Sequence, residues 1–119
     1  MGNSGYRVAF TSQAAKDLAK LKKRNAQAYA KARNTLGALE PDHEARHPLL
    51  GTLSGCRSLE FSVKGSAAYR ADYVPVDEET VCVVFLVAAH ENVYDVAARR
   101  AHRVLRDPMG ALADDEDDE

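Results

Sequence analysis

The segment Thr80 to Ala88 (TVCVVFLVA) is almost unbroken in apolar and β-branched residues. A strand with one face in water alternates apolar and polar positions, so a run like this one reads as a central strand covered on both faces. The uninterrupted apolar stretch, Val81 to Ala89, is far shorter than a bilayer requires, which excludes a transmembrane helix here. The remaining elements must therefore supply neighbouring strands and the layers that cover the sheet.

Alternation supplies the strands. Leu59, Phe61 and Val63 form one set, Tyr69, Ala71 and Tyr73 another, and the polar links at 64–68 and 77–79 are short enough to make a meander with the central strand. Near the start, Tyr6, Val8 and Phe10 alternate with Arg7 and Ala9, and Thr11 or Ser12 then offers an N-cap. Ala14, Leu18 and Leu21 recur at helical spacing, with lysines and Arg24 on the other positions. Asn25 is a break or a new cap, and Tyr29, Ala32, Leu36 and Leu39 line a second helix, so a helix hairpin is implied. From Pro41 to Gly55 the prolines and glycines read as loop. Tyr94, Ala97, Ala98, Ala101, Val104 and Leu105 form the stripe of a last helix, closed by Pro108 and Gly110.

The expected fold class is α+β, a small twisted four-stranded, mainly antiparallel sheet in the order β-α-α-β-β-β-α. Its expected core is Phe10, Leu18, Leu21, Leu36, Leu59, Phe61, Val83, Phe85 and Val87. A chain of 119 residues supports one such core and not two. Two cysteines, Cys56 and Cys82, exclude a disulfide scaffold and read as reduced core thiols of a cytoplasmic protein.

The net charge of -2 conceals an asymmetry. Six of the eighteen acidic residues are consecutive, Asp114 to Glu119, and setting them aside leaves sixteen basic against twelve acidic residues, a body of +4. We read residues 1–111 as the domain and 112–119 as a disordered acidic tail. A mildly basic body permits a polyanionic partner.

Three constellations could carry chemistry. His43 to His47 (HEARH) matches the H-E-x-x-H zinc pattern, but Pro48 disfavours helical geometry at His47 and Pro41 leaves little more than one turn, so the match reads as accidental. Arg70, His90 and Tyr94 fall at strand ends that a meander can bring to one edge, where histidine would move protons and arginine would clamp a phosphate. A structural reading also stands, in which Arg70 pairs with Asp72 or a tail acid and His90 caps the last helix. The hairpin helices carry a clustered basic face that includes Lys16, Lys20, Lys23, Lys31 and Arg33, able to track a phosphate backbone. With no Trp and 7% aromatics, an aromatic base-stacking platform is not expected.

The element order, together with Tyr6 to Thr11 (YRVAFT), Ala14 to Leu21 (AAKDLAKL), Pro48 to Gly55 (PLLGTLSG), Tyr69-Arg70 and His90 to Tyr94 (HENVY), resembles the RelE/ParE superfamily of type II toxin–antitoxin toxins. The resemblance spans about residues 6 to 105. It implies a helix hairpin on one side of the sheet, a cognate antitoxin as partner, and no cofactor, metal or membrane. Its RelE-like branch implies a ribosome-dependent endoribonuclease acting on mRNA. The resemblance places Arg70 as the phosphate-stabilising group, Tyr94 as a substrate contact, and His90 and His47 as acid and base. Lys20, Lys23, Arg57 and Lys64 would contact RNA. Where the RelE branch has two catalytic lysines, this chain has Ser58 and Glu60. A ParE-like inhibitor of DNA gyrase, or an inactive homologue acting as a binding module, is the alternative.

Overall fold

The computed structural model describes residues 6–37, 47–48, 55–65, 68–89 and 94–112. The strands are β1 (Arg7–Phe10), β2 (His47–Pro48), β3 (Arg57–Ser62), β4 (Ala68–Val76) and β5 (Val81–Ala89), and the helices are α1 (Ser12–Arg24), α2 (Ala26–Gly37) and α3 (Tyr94–Arg106). The sheet order is β1-β5-β4-β3-β2. The expected fold class and element order are what the structure shows, with β2 as a two-residue addition within the segment read as loop.

The meander β3-β4-β5 is antiparallel, whereas β1 pairs parallel to β5, with Arg7 opposite Val81 and Phe10 opposite Val84. Parallel pairing follows from chain direction: β1 runs straight into α1, and the α1-α2 hairpin is the crossover that returns the chain to the sheet. Thr11 caps α1 by accepting the Ala14 N–H on its Oγ1 at 3.1 Å. Asn25 serves both helices. Its N–H donates to the Leu21 carbonyl at 2.8 Å and its Oδ1 accepts from the Ala28 N–H at 3.1 Å, ending one helix and opening the next.

Both faces of β5 are covered, as its apolar run requires. Ala14, Leu18, Leu21, Ala28, Ala32 and Leu36 of the hairpin pack on Leu59, Phe61, Ala71, Tyr73, Cys82, Val84 and Val87. Ala97, Ala101 and Val104 of α3 pack on the opposite face, against Val74, Val81, Val83, Phe85 and Leu86. Of the nine expected core residues eight are buried, and Phe10 is half-buried against the hairpin cluster. Cys56 and Cys82 belong to opposite faces of the sheet, so they cannot bridge, and neither forms a disulfide. Burial, with a smaller contribution from Asp72 at Cys56 and from Asp77 at Cys82, pushes both thiols up to about 12; Arg57 pulls Cys82 slightly the other way.

A bulge in β5 re-phases this packing. Tyr73 is opposite Val84 and Asp72 opposite Leu86, which leaves Phe85 as the extra residue. Before the bulge Cys82 and Val84 face the hairpin; after it Val87 does, while Phe85 and Leu86 both face α3. β1 has already turned into α1 at this point, so the outer edge of β5 beyond Val84 lacks a strand. Side chains take over the ladder. The Val87 N–H donates to Asp17 Oδ2 at 3.0 Å, and Arg100 Nη1 donates to the Phe85 carbonyl at 3.0 Å and to Asp17 Oδ2 at 2.7 Å. A helix on each side of the sheet is thereby pinned to the same bulge.

Candidate functional site

β3 and β4 present two kinds of face. Leu59 and Phe61 turn toward the hairpin, so Ser58 and Glu60, which alternate with them, lie on the other side. On β4, Tyr69, Ala71 and Tyr73 turn toward the hairpin, and Arg70 and Asp72 lie on that same other side. Register aligns these residues in two adjacent rows. His47, Ser58, Asp72 and Leu86 form one, and Glu60, Arg70 and Ala88 the next.

The centre of this face is an ion pair. Arg70 Nε donates to Asp72 Oδ1 at 3.0 Å and Nη2 donates to Oδ2 at 2.6 Å, a two-point fork in which Nη1 takes no part. Asp72 is fully buried and Arg70 half-buried. A buried carboxylate without a cation would be costly, so the pair fixes the guanidinium by necessity as well as by geometry. Ser58, itself buried, stands opposite Asp72 in the register.

The expected site residues are only partly brought together. Arg70 is on the face described, and the backbone of His47 is paired into β2 in register with Ser58, one row away. Strand pairing at His47 and Pro48 also removes the helix that the zinc-type reading of HEARH would need, while His43 to Arg46 lie outside the described residues. Among the described residues no group of three metal-ligating side chains is present. Tyr94 opens α3, as expected. His90 lies outside the described residues; it follows Ala89, the last residue of β5, which is opposite Tyr69.

The expected RNA contacts divide differently. Lys20 and Lys23 are exposed on α1. Lys64 is exposed in the turn after β3 and lines a shallow groove with Gln27, Lys31 and Asn34 of α2. Arg57 shares the phase of Leu59 and Phe61 and acts on Cys82, which places it on the hairpin side, across the sheet from Arg70. These cations belong to the hairpin layer and do not converge on Arg70.

Two residues with consequences for the site escape the expected set. Asp72 is one, though it is the partner in the structural reading of Arg70. Asp17 is the other, and its signal is present in the sequence: it is the sole acid in the two hairpin helices.

No protein-family profile matches the chain, and no curated protein matches it. Solved structures do. A chain of the toxin–antitoxin complex RelBE2 from Mycobacterium tuberculosis is 28% identical, over 73% of this chain and 100% of that one, with a TM-score of 0.63. A chain of the intact E. coli RelBE toxin–antitoxin complex is 25% identical, over 73% of this chain and 99% of that one, with a TM-score of 0.54. Both likenesses support a toxin of the RelE superfamily. A free E. coli RelE variant, 21% identical, shares the fold over 85% of this chain and 99% of that one, with a TM-score of 0.67. No helix among the described residues is long and apolar enough to cross a membrane.

Proposed function

We propose that this protein is the toxin of a type II toxin–antitoxin pair, bound and masked by a cognate antitoxin, and that it acts as a ribosome-dependent mRNA endonuclease. The observation that carries this reading is the placement of Arg70. Its guanidinium is braced by Asp72 on the face of β3 and β4 turned away from the hairpin, in the row next to His47 and opposite Ala88, two positions before His90 in the chain. The likeness to chains of toxin–antitoxin complexes supports the antitoxin partner.

The chemistry requires no metal, because the nucleophile is the substrate's own ribose 2′-hydroxyl. A base, assigned to His47, takes the hydroxyl proton; the oxygen attacks the adjacent phosphorus, forming the cyclic phosphate. Arg70 balances the charge that grows on the phosphoryl oxygens, and an acid, assigned to His90, protonates the departing 5′-oxygen. Tyr94, at the start of α3, contacts the substrate. Cleavage is restricted to RNA because DNA lacks the 2′-hydroxyl.

A second reading rests on one observation. Glu60 stands opposite Arg70, and Ser58 opposite Asp72, in the positions where the RelE branch carries lysines. A carboxylate facing a scissile phosphate repels it, which favours a ParE-like gyrase inhibitor or an inactive binding homologue. One experiment separates them: purified protein is added to ribosomes programmed with a defined A-site codon, and to gyrase with relaxed plasmid. The nuclease gives a cut within the A-site codon and leaves supercoiling intact. Intact mRNA with blocked supercoiling establishes the ParE-like reading.

A further inference from the structure

We propose that the groove between the first turn of α1 and α3 is the docking site for the chain's own acidic segment, Asp114 to Glu119. The groove has two adjoining parts. One, of about 330 Å³, is lined by Thr11, Ser12, Gln13, Arg103, Ala111 and Leu112 among others; the other, of about 310 Å³, by Gln13, Val96, Arg99, Arg100 and Arg103. Gln13 and Arg103 line both, so the two parts adjoin.

Charge selects the occupant. Arg99 and Arg103 are exposed and one helical turn apart on α3, whereas Arg100 is committed to Asp17 and the β5 bulge. The first turn of α1, which forms the other wall, contains no acidic residue, and its helix dipole adds to the positive potential. The groove therefore fits an extended polyanion.

Position selects the segment. The Met109–Ala111 turn follows α3, and Leu112 then pairs with Thr11 in an antiparallel bridge, so the chain is anchored in the wall of the groove one residue before Ala113. Leu112 and Arg103 line the same part of the groove, and Arg99 is one helical turn farther, about 6 Å along α3, within the roughly 23 Å that seven extended residues span. Lys23 is twelve residues along α1 from Thr11, about 18 Å away along the helix axis, which puts the lysine cluster at the far end of the tether's reach. A tethered segment acts at millimolar effective concentration, so it outcompetes untethered polyanions for the same arginines. The inference is independent of which target the toxin acts on.

The test compares four full-length proteins by ¹⁵N NMR and by binding to a single-stranded oligouridylate. They are the wild type, a neutral-tail variant with Asp114, Asp115, Glu116, Asp117, Asp118 and Glu119 changed to their amides, the Arg99→Gln/Arg103→Gln variant, and the combination. Tail neutralisation should shift the amide signals of Gln13, Arg99 and Arg103, and about 0.5 M salt should produce the same shifts in the wild type. It should also tighten oligouridylate binding roughly tenfold at low salt, and only about as much as measurement error when Arg99 and Arg103 are already glutamine. Shifts confined to the Lys20 to Lys23 region, no shifts at all, or a tail effect of equal size in both backgrounds would overturn the proposal.

Discussion

Arg70 and Asp72, two residues apart on β4 and so on one face of the sheet, form a two-point ion pair with Asp72 fully buried and the Arg70 side chain only 13% exposed. The guanidinium is therefore held at a fixed angle, and Nη1 is the nitrogen that the pairing leaves aside. On the proposed reading one residue supports both the fold and the chemistry, and the two contributions can be separated.

Arg70→Ala should lower A-site cleavage by about a hundredfold, the loss expected for one charge-stabilising donor. It also strands a buried carboxylate and should cost about 3–5 kcal/mol of stability. The double variant Arg70→Met/Asp72→Leu replaces the pair by apolar groups and should recover most of that stability while remaining inactive. Urea unfolding and ribosome cleavage, measured on the same samples, check both halves. Recovery of cleavage along with stability would show that Arg70 only holds the sheet together.

Asp17→Ala should destabilise the protein by about 2 kcal/mol, since it removes a largely buried charged partner of Arg100 and the acceptor of the Val87 N–H at once. Arg100→Ala should cost a similar amount through the Phe85 carbonyl. The pair should couple strongly in a double-mutant cycle, and protection of the Val87 amide against hydrogen exchange should fall. Additive losses with Val87 still protected would mean that the bulge is held by packing alone.

The thiols set an alkaline limit. Both folded-state values are raised from 9.0 to about 12, chiefly by burial, so the folded protein retains two protons that the unfolded chain loses first. Their contribution is complete below about pH 9 and is lost as pH rises from 9.0 toward about 12. Urea midpoints should be flat between about pH 7 and 8.5 and fall above about 9, with a shallower fall in Cys82→Ala. Ellman's reagent at about pH 8 should find neither thiol until denaturant is added.

The parts of the fold legible in the sequence were those governed by periodicity. The apolar run of β5 demanded cover on both faces, and the hairpin and α3 supply it. The Thr11 and Asn25 caps were readable because their side chains act on residues three positions away. Less legible was anything set by long-range pairing. The β5 bulge leaves no mark in a segment apolar at every position, and β2 arises because two residues happen to meet β3. At the site, Arg70 could be picked out as a candidate, but its commitment to Asp72 depends on strand phase and burial together. Arg57 shows the same limit. Its type suits RNA, while its position, in phase with Leu59 and Phe61, turns it to the other face.

Glu60 provides the most direct probe of the proposed chemistry. It is exposed and stands opposite Arg70. Glu60→Lys exchanges a charge that repels phosphate for one that attracts it, two units of change beside the scissile group. In a nuclease this should raise kcat/KM for A-site cleavage about tenfold and steepen its salt dependence, while Glu60→Gln should give an intermediate gain. The Arg70→Ala background discriminates cause: added affinity without Arg70 should increase binding and leave cleavage low, because on the proposed mechanism Arg70 would act in the transition state and the introduced lysine on approach. A loss of cleavage in Glu60→Gln would instead assign the carboxylate a proton-transfer role and displace His47 as the base. Unchanged cleavage in both variants would mean that this face is not where the phosphate sits.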